Sequence, residues 1–242
     1  VEDNNYIGYI WVEKQNKYQS CINSMNVIEN RNLIYFYKNL IGSVVNNSLI
    51  TYECEDNKVN VDILSELGFN RTKGFRELEK PCFEYFNTFI PREITFSIVK
   101  RNTDEKLRCL LQNEIFKNDD RIPINIEDIY YDEIQEYYFD KGAIFIKCNN
   151  KTIGYGQIII EEKSAIIVNF GIIGNYRNFG YAKVLLRYLL NIAMDNNFSK
   201  VSLRVDSDNI AAFNLYSSLG FMIKKEFYTW QKLKSIDEEV NR

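Results

Sequence analysis

The chain has 242 residues, 45% of them hydrophobic and 26% charged, so it can bury a core and form one large domain or two small ones, which excludes a disordered or fibrous chain. A net charge of −3 gives no electrostatic case for nucleic acid or an anionic membrane as the main partner. The absence of histidine removes the usual general base, and the five cysteines (Cys21, Cys54, Cys82, Cys109, Cys148) contain no C-x-x-C pair, so neither a metal knuckle nor a disulfide framework is expected.

The start, Val1-Glu2-Asp3, has neither an initiator Met nor a signal-peptide pattern and reads as truncated. No apolar stretch nears the roughly 18 residues that span a bilayer, and a reducing cytoplasm is the default compartment. Ile7-Gly8-Tyr9 opens a strand-like run that recurs at Ile153-Gly154-Tyr155, a spacing of 146. At the same spacing Arg31-Asn32 falls on Arg177-Asn178, and Leu67-Gly68-Phe69 matches Leu219-Gly220-Phe221 at a spacing of 152. These co-linear matches predict a duplicated domain. The first copy, N-terminally incomplete, occupies residues 1–91 with its linker, and the complete second copy occupies 92–242. Two of the three prolines, Pro81 and Pro91, mark the linker, from about Glu79 to Arg92.

In the second copy the pattern predicts a strand at Ile94–Lys100, a helix at Thr103–Phe116 opened by a Thr cap, and a helix at Ile126–Phe139. Strands follow at Ala143–Cys148, Ile153–Glu161 and Ser164–Ile173. Then come a helix at Asn178–Asn196, a strand at Lys200–Asp206, a helix at Ile210–Ser218 and terminal strands within Phe221–Leu233.

The most informative stretch is the apolar strand Ile166 to Ile172 running into Gly174-Asn175-Tyr176-Arg177-Asn178-Phe179-Gly180-Tyr181-Ala182. Strand, tight loop and helix make an anion-binding geometry, because the N–H groups of a helix's first turn are unpaired and the helix dipole adds positive potential. Gly180 lacks a Cβ and Ala182 is small, which keeps the approach open. Ala182, Leu185, Leu186, Leu189, Leu190 and Ala193 form an apolar stripe that reads as core. Downstream lie Asn209-Ile210-Ala211-Ala212-Phe213-Asn214-Leu215-Tyr216 and then Leu219-Gly220-Phe221.

In these two motifs the second copy resembles the GCN5-related N-acetyltransferases, the GNAT superfamily. Arg177-Asn178-Phe179-Gly180-Tyr181-Ala182 is similar to that family's R/Q-x-x-G-x-G/A acetyl-CoA loop, and Asn209 through Phe221 to its N-x-x-A-x-x-L-Y-x-x-x-G-F signature. The resemblance covers roughly residues 92–233. It implies an α/β (α+β) fold of two tandem GNAT-like domains, each a mixed, mostly antiparallel, splayed sheet flanked by helices. It further implies that main-chain groups of Phe170 and Ile172, with Gly171 between them, pair with the pantetheine arm of acetyl-CoA. The N–H groups from Arg177 to Ala182 would hold the pyrophosphate, Asn209 would bond the pantetheine, and Ala212 and Phe213 would pack on it. Tyr216 would protonate the leaving thiolate as general acid. Plainer roles stay open: Tyr216 as a core aromatic, Asn209 as a helix cap, Arg177 as a solvated helix-start residue.

Two departures stand out. Gly174 occupies a place where many members have Pro, and Ile166 stands where some members carry a general-base carboxylate, so no base is assigned; Glu161 and Glu162 read as turn residues. In the first copy the glycine position is Ile34 and the small position Phe36; Asn57 is the counterpart of Asn209, and Leu64 stands where Tyr216 does. That copy is expected to have lost cofactor binding and to pack against the second. The acidic run Glu127-Asp128, Asp132-Glu133, Glu136 and Asp140, interleaved with Tyr130, Tyr131, Tyr137 and Tyr138, suits a cationic amine acceptor. It equally suits a buried stripe of Ile126, Tyr130, Ile134 and Tyr138 with the acids on the wet face. The expectation is an acetyl-CoA-dependent N-acetyltransferase of direct-transfer type without a metal, acting on a small-molecule or peptide amine; the rival is a non-catalytic acyl-CoA-binding module.

Overall fold

The computed structural model describes residues 6–28, 31–44, 49–87, 89–118 and 121–233. The start at Val1 lies outside them. The chain divides into two compact units, each assembled from separate segments: Val1–Arg76, Val205–Ile210 and Ile223–Arg242 in the first, Glu77–Arg204 and Ala211–Met222 in the second.

The first unit contains β1 (Gly8–Lys14), β2 (Gln19–Val27), α1 (Leu33–Gly42), β3 (Leu49–Glu55), α2 (Lys58–Glu66), the opening half of β4 (Asn70–Pro81) and nearly all of β10 (Met222–Leu233). Its strand order is β1-β2-β3-β10-β4. β1 and β2 are antiparallel, β2 and β3 run parallel from Gln19↔Leu49 to Ile22↔Tyr52, and β10 lies antiparallel to β3 from Phe227↔Glu55 to Leu233↔Leu49. Tyr37 and Ile41, one turn apart on α1, and Leu64 on α2 pack with Ile22, Ile50, Cys54, Phe69 and Trp230 into one core. The Asn57 side chain caps α2 by accepting from the Asn60 N–H at 3.0 Å.

The second unit contains β5 (Ile94–Ile98), α3 (Glu105–Ile115), α4 (Ile126–Glu133), β6 (Tyr138–Cys148), β7 (Lys151–Glu161), β8 (Ser164–Ile172), α5 (Tyr181–Asp195), most of β9 (Lys200–Asp206) and α6 (Ile210–Ser217). β5 to β8 form an antiparallel meander, and β8 runs parallel to β9. Leu185, Leu186, Leu189, Leu190 and Ala193 are the buried face of α5, as the stripe predicts. Gly156 makes this packing possible, since a Cβ there would stand 2.7 Å from Leu189 Cδ1. The close of β4 meets β9 through Glu79–Lys200 at 2.7 Å and Glu77–Arg204 at 2.8 Å.

Several boundaries differ from expectation. Helix α3 starts at Glu105 with Asp104 at its N-cap, so the Thr103 cap is not used. The helix predicted to reach Phe139 stops at Glu133, and β6 starts at Tyr138 instead of Ala143. Tyr138 pairs with Ile159, so the aromatic run that fits a helical spacing is used as strand, where aromatics pack well. Helix α5 starts at Tyr181, three residues later than expected, because Asn178 and Gly180 both take left-handed backbone (φ 67° and 81°).

Candidate functional site

The geometry starts with β8. It pairs with β9 only at Ala165↔Val201, Ile166↔Ser202 and Ile167↔Leu203, so from Val168 onward its far side has no ladder partner in β9. On its other side the register with β7 slips between Tyr155 and Gln157, a β-bulge at which Asn169 adopts φ 50°. The Ile173 N–H donates to Ile153 O at 2.9 Å. Successive residues of a strand face their N–H and C=O groups to opposite sides, so Gly171 faces β7, and Phe170 and Ile172 face away from it. Gly171 is required by packing: a Cβ would lie 2.3 Å from Ile115 Cγ2 on α3.

A single 3-10 turn, Gly174–Tyr176, leads into the loop before α5. Arg177 departs from the expectation that its N–H faces an anion, because that N–H donates to Gly174 O at 3.1 Å. Its side chain is equally committed. Nε donates to Ile172 O at 2.9 Å and Nη2 to Ile115 O at 2.8 Å, tying the end of β8 to the end of α3. The residue is nonetheless exposed, as the plainer reading of it expects, and its committed N–H leaves the loop's other N–H groups, from Asn178 onward, to face outward.

Gly180 is the N-cap of α5 with φ 81°, no side chain caps the helix, and no acid sits in its first turn. The first-turn N–H groups, Tyr181 and Ala182 among them, therefore keep their dipole for an external anion. A Cβ built on Gly180 or on Gly174 meets nothing within 4 Å, so the space above the turn is open. Exposed Phe179 stacks on Tyr181 with ring centroids 5.8 Å apart.

Tyr216 lies on α6, only 7% exposed, with its ring 6.1 Å from Phe170 and 5.9 Å from Phe221. Burial pushes its phenol up to about 12. Ala212 and Phe213 are half-buried on the same helix. Asn209 belongs to the first unit, where its N–H donates to Asp206 O at 3.0 Å.

Sequence reasoning missed a buried polar network on the opposite face of β7 and β8. Gln157, fully buried on β7, accepts at Oε1 from Arg108 Nη2 (3.1 Å), Tyr155 Oη (3.2 Å) and Asn169 Nδ2 (3.2 Å), and donates from Nε2 to Asp132 Oδ2 (3.1 Å). Arg108 of α3, 1% exposed, also bonds Asp132 and, at 3.3 Å, Glu133. Asp132 takes a further bond from the Tyr137 hydroxyl at 2.9 Å, and its side chain is the most open of the three ionic partners, at 21%. Desolvation raises the Glu133 pKa against the lowering effect of Arg108. Two carboxylates thus share one guanidinium. The buried residues of α4 are Ile129 and Glu133; of the stripe expected, Tyr130 and Ile134 are exposed, Ile126 is half-buried and Tyr138 is buried, on β6. The available signal was a polar residue inside an apolar run: Gln157 between Gly156 and Ile158, and Asn169 between Val168 and Phe170.

Among the described residues no helix is long and apolar enough to cross a membrane, and no group of three or more Cys, Asp or Glu is placed to hold a metal ion.

Residues 111–221 match the Acetyltransferase (GNAT) family. The chain is 27% identical to N-alpha-acetyltransferase 50 of Danio rerio over 129 residues, covering 49% of this chain and 73% of that protein. It is 33% identical to N-acetylaspartate synthetase of Xenopus tropicalis over 94 residues, 37% of this chain and 35% of that one. In fold it is similar to a GCN5-related N-acetyltransferase from Sphaerobacter thermophilus (TM-score 0.71, 15% identity, 94% of this chain and 76% of that one). A tandem GNAT protein from the clavulanic acid biosynthesis pathway is also similar (TM-score 0.64, 9% identity, 94% and 79%). The family match takes in less than half of the chain, and the two solved structures share with it a mixed α/β fold.

Proposed function

We propose that the protein is an acetyl-CoA-dependent N-acetyltransferase whose active site is built in the second unit. The observation that carries this is the parting of β8 from β9 after Ile167↔Leu203, directly ahead of the Gly180-capped start of α5. Phe170 and Ile172 offer outward main-chain groups for the pantetheine amides. The backbone from Asn178 to Ala182 offers N–H groups and open space for the pyrophosphate. Acetyl-CoA supplies an activated thioester. In the transfer a C–N bond forms as the C–S bond breaks, the amine, neutral when it attacks, gives up one proton to water, the Tyr216 hydroxyl gives its proton to the departing thiolate, and the phenolate takes a proton back from water. A phenol held up to about 12 by burial is protonated at neutral pH, as a proton donor must be. The half-buried Ala212 and Phe213 of α6 keep their proposed places along the pantetheine.

The acceptor is a primary amine, and the partly open Asp132 favours one that carries positive charge. Residues 92–242 are proposed as the complete acetyltransferase copy and 1–91 as a degenerate one. Support comes from the order strand, strand, helix, strand, helix, strand, which runs from β1 to β4 and again from β7 to β10. In the degenerate copy Ile34 and Phe36 fill the loop, and Leu64 replaces the phenol. Five free thiols suit a reducing compartment, for which the cytoplasm is proposed. Ile166, in the place of a carboxylate, favours the second reading, a module that binds acyl-CoA without turnover.

Isothermal titration tests the proposal. Wild type should bind acetyl-CoA and Gly180→Trp should not, while release of free thiol with a panel of amines separates the enzyme from the binding module. A folded wild type that binds no acetyl-CoA refutes the site.

A further inference from the structure

We propose that Gln157 is a positioning residue: through the side chain of Asn169 it holds the β8 bulge that aims the Phe170 N–H into the gap beside β9, toward the carbonyl of a bound acyl thioester. This rests on the transferase reading above.

Asn169 sits at φ 50°, where side chains other than glycine are unfavourable and Asn is among the few tolerated. A left-handed residue inside a strand needs something to hold it there. The structure supplies one such hold, the bond from Asn169 Nδ2 to Gln157 Oε1 at 3.2 Å. The Gln157 amide is itself fixed, since its oxygen accepts from Arg108 and Tyr155 as well and its nitrogen donates to Asp132. Turning the amide over would place its NH2 against the guanidinium and its oxygen against the carboxylate. A side-chain amide bonded at both its oxygen and its nitrogen is held in one orientation. The bulge also falls two residues beyond the last β8–β9 pair, Ile167↔Leu203, so what it re-aims is the open part of the strand. Neither Gln157 nor Asn169 lies on the Tyr216 side of the sheet, where Phe170 meets that ring, so they act on the reaction through the backbone.

The test uses acetyl-CoA carrying carbon-13 at its carbonyl, followed by difference infrared spectroscopy of the complex, with CoA affinity measured alongside. In wild type the carbonyl band should move to lower frequency on binding. In Gln157→Met, of similar size but without the amide, the band should return toward its position in free acetyl-CoA while CoA affinity changes less than about threefold. Asn169→Gly keeps the left-handed backbone without the tether, guards against a misfolded Gln157→Met, and should move the band in the same direction. If both variants bind and keep the wild-type band, Gln157 does not position the carbonyl and the proposal falls while the transferase reading stands. If wild type binds neither acetyl-CoA nor CoA, both fall.

Discussion

The entrances to α1 and α5 start alike and end differently. Arg31-Asn32 and Arg177-Asn178 stand at the same spacing in the repeat, and Asn32 and Asn178 both take left-handed backbone (φ 58° and 67°). In the first unit the helix then begins at once, at Leu33. In the second, Gly180 makes a second left-handed turn at φ 81° and delays the helix to Tyr181. At the matching place in the first unit stands Ile34, a β-branched residue for which that turn is strongly unfavourable, and it is already helical. Neither helix has a side-chain cap or an acid in its first turn, so what the residue type decides is whether a second left-handed turn and open space precede the helix. The bulges teach a related lesson. In the first unit the β1–β2 register also slips, between Trp11 and Val12, opposite Asn23, which stands at the repeat spacing from Asn169. The counterpart of Gln157 is Trp11, 64% exposed, so that bulge has no buried amide from this position to hold it.

The comparison can be broken most severely at the glycine. Gly180→Ile copies the first unit into the second, and titration should show acetyl-CoA affinity reduced at least about 100-fold, from backbone strain and the loss of open space. Tyr216→Phe copies the absence of a phenol at Leu64. It should lower kcat about 100-fold with acetyl-CoA affinity within about threefold, the range for a lost general acid. Because burial holds the Tyr216 phenol up at about 12, kcat should not fall on the alkaline side between about pH 7 and pH 9. A basic limb set by this group would appear only as pH approaches that value.

Smaller effects sharpen the comparison. Gly171→Ala drives a methyl toward Ile115 Cγ2 at 2.3 Å and should destabilise the protein by about 1–3 kcal/mol in urea unfolding. Asn57→Ala removes the α2 cap of the first unit. It should cost about 1 kcal/mol of stability and leave acetyl-CoA affinity unchanged, since the loss falls on the unit proposed not to bind it.

The strand, loop and helix from β8 to α5 were legible because they are contiguous: an apolar run, a glycine and an i, i+3, i+4 stripe state their own structure. The network around Gln157 was not, because it joins α3, α4, β7 and β8, and no local pattern places Arg108 beside Asp132 and Asn169. The same limit explains α4. Glu133 is buried because Arg108 pairs with it, and hydropathy alone assigned it to water. Arg177 read as a loop residue since its two carbonyl partners, Ile172 and Ile115, come from separate elements. The pairing of β10 with β3, Phe227↔Glu55, is likewise a long-range fact that periodicity cannot express.

The central claim is that acetyl-CoA binds at the turn into α5 and not at the turn into α1. Backbone hydrogen exchange with and without acetyl-CoA tests it most directly, read on peptides covering residues 31–44 and 168–186. On binding, exchange should slow at Phe170, Ile172 and Asn178 to Ala182, with no change from Asn32 to Phe36. Protection from Asn32 to Phe36, or binding that leaves Asn178 to Ala182 unprotected, would contradict it.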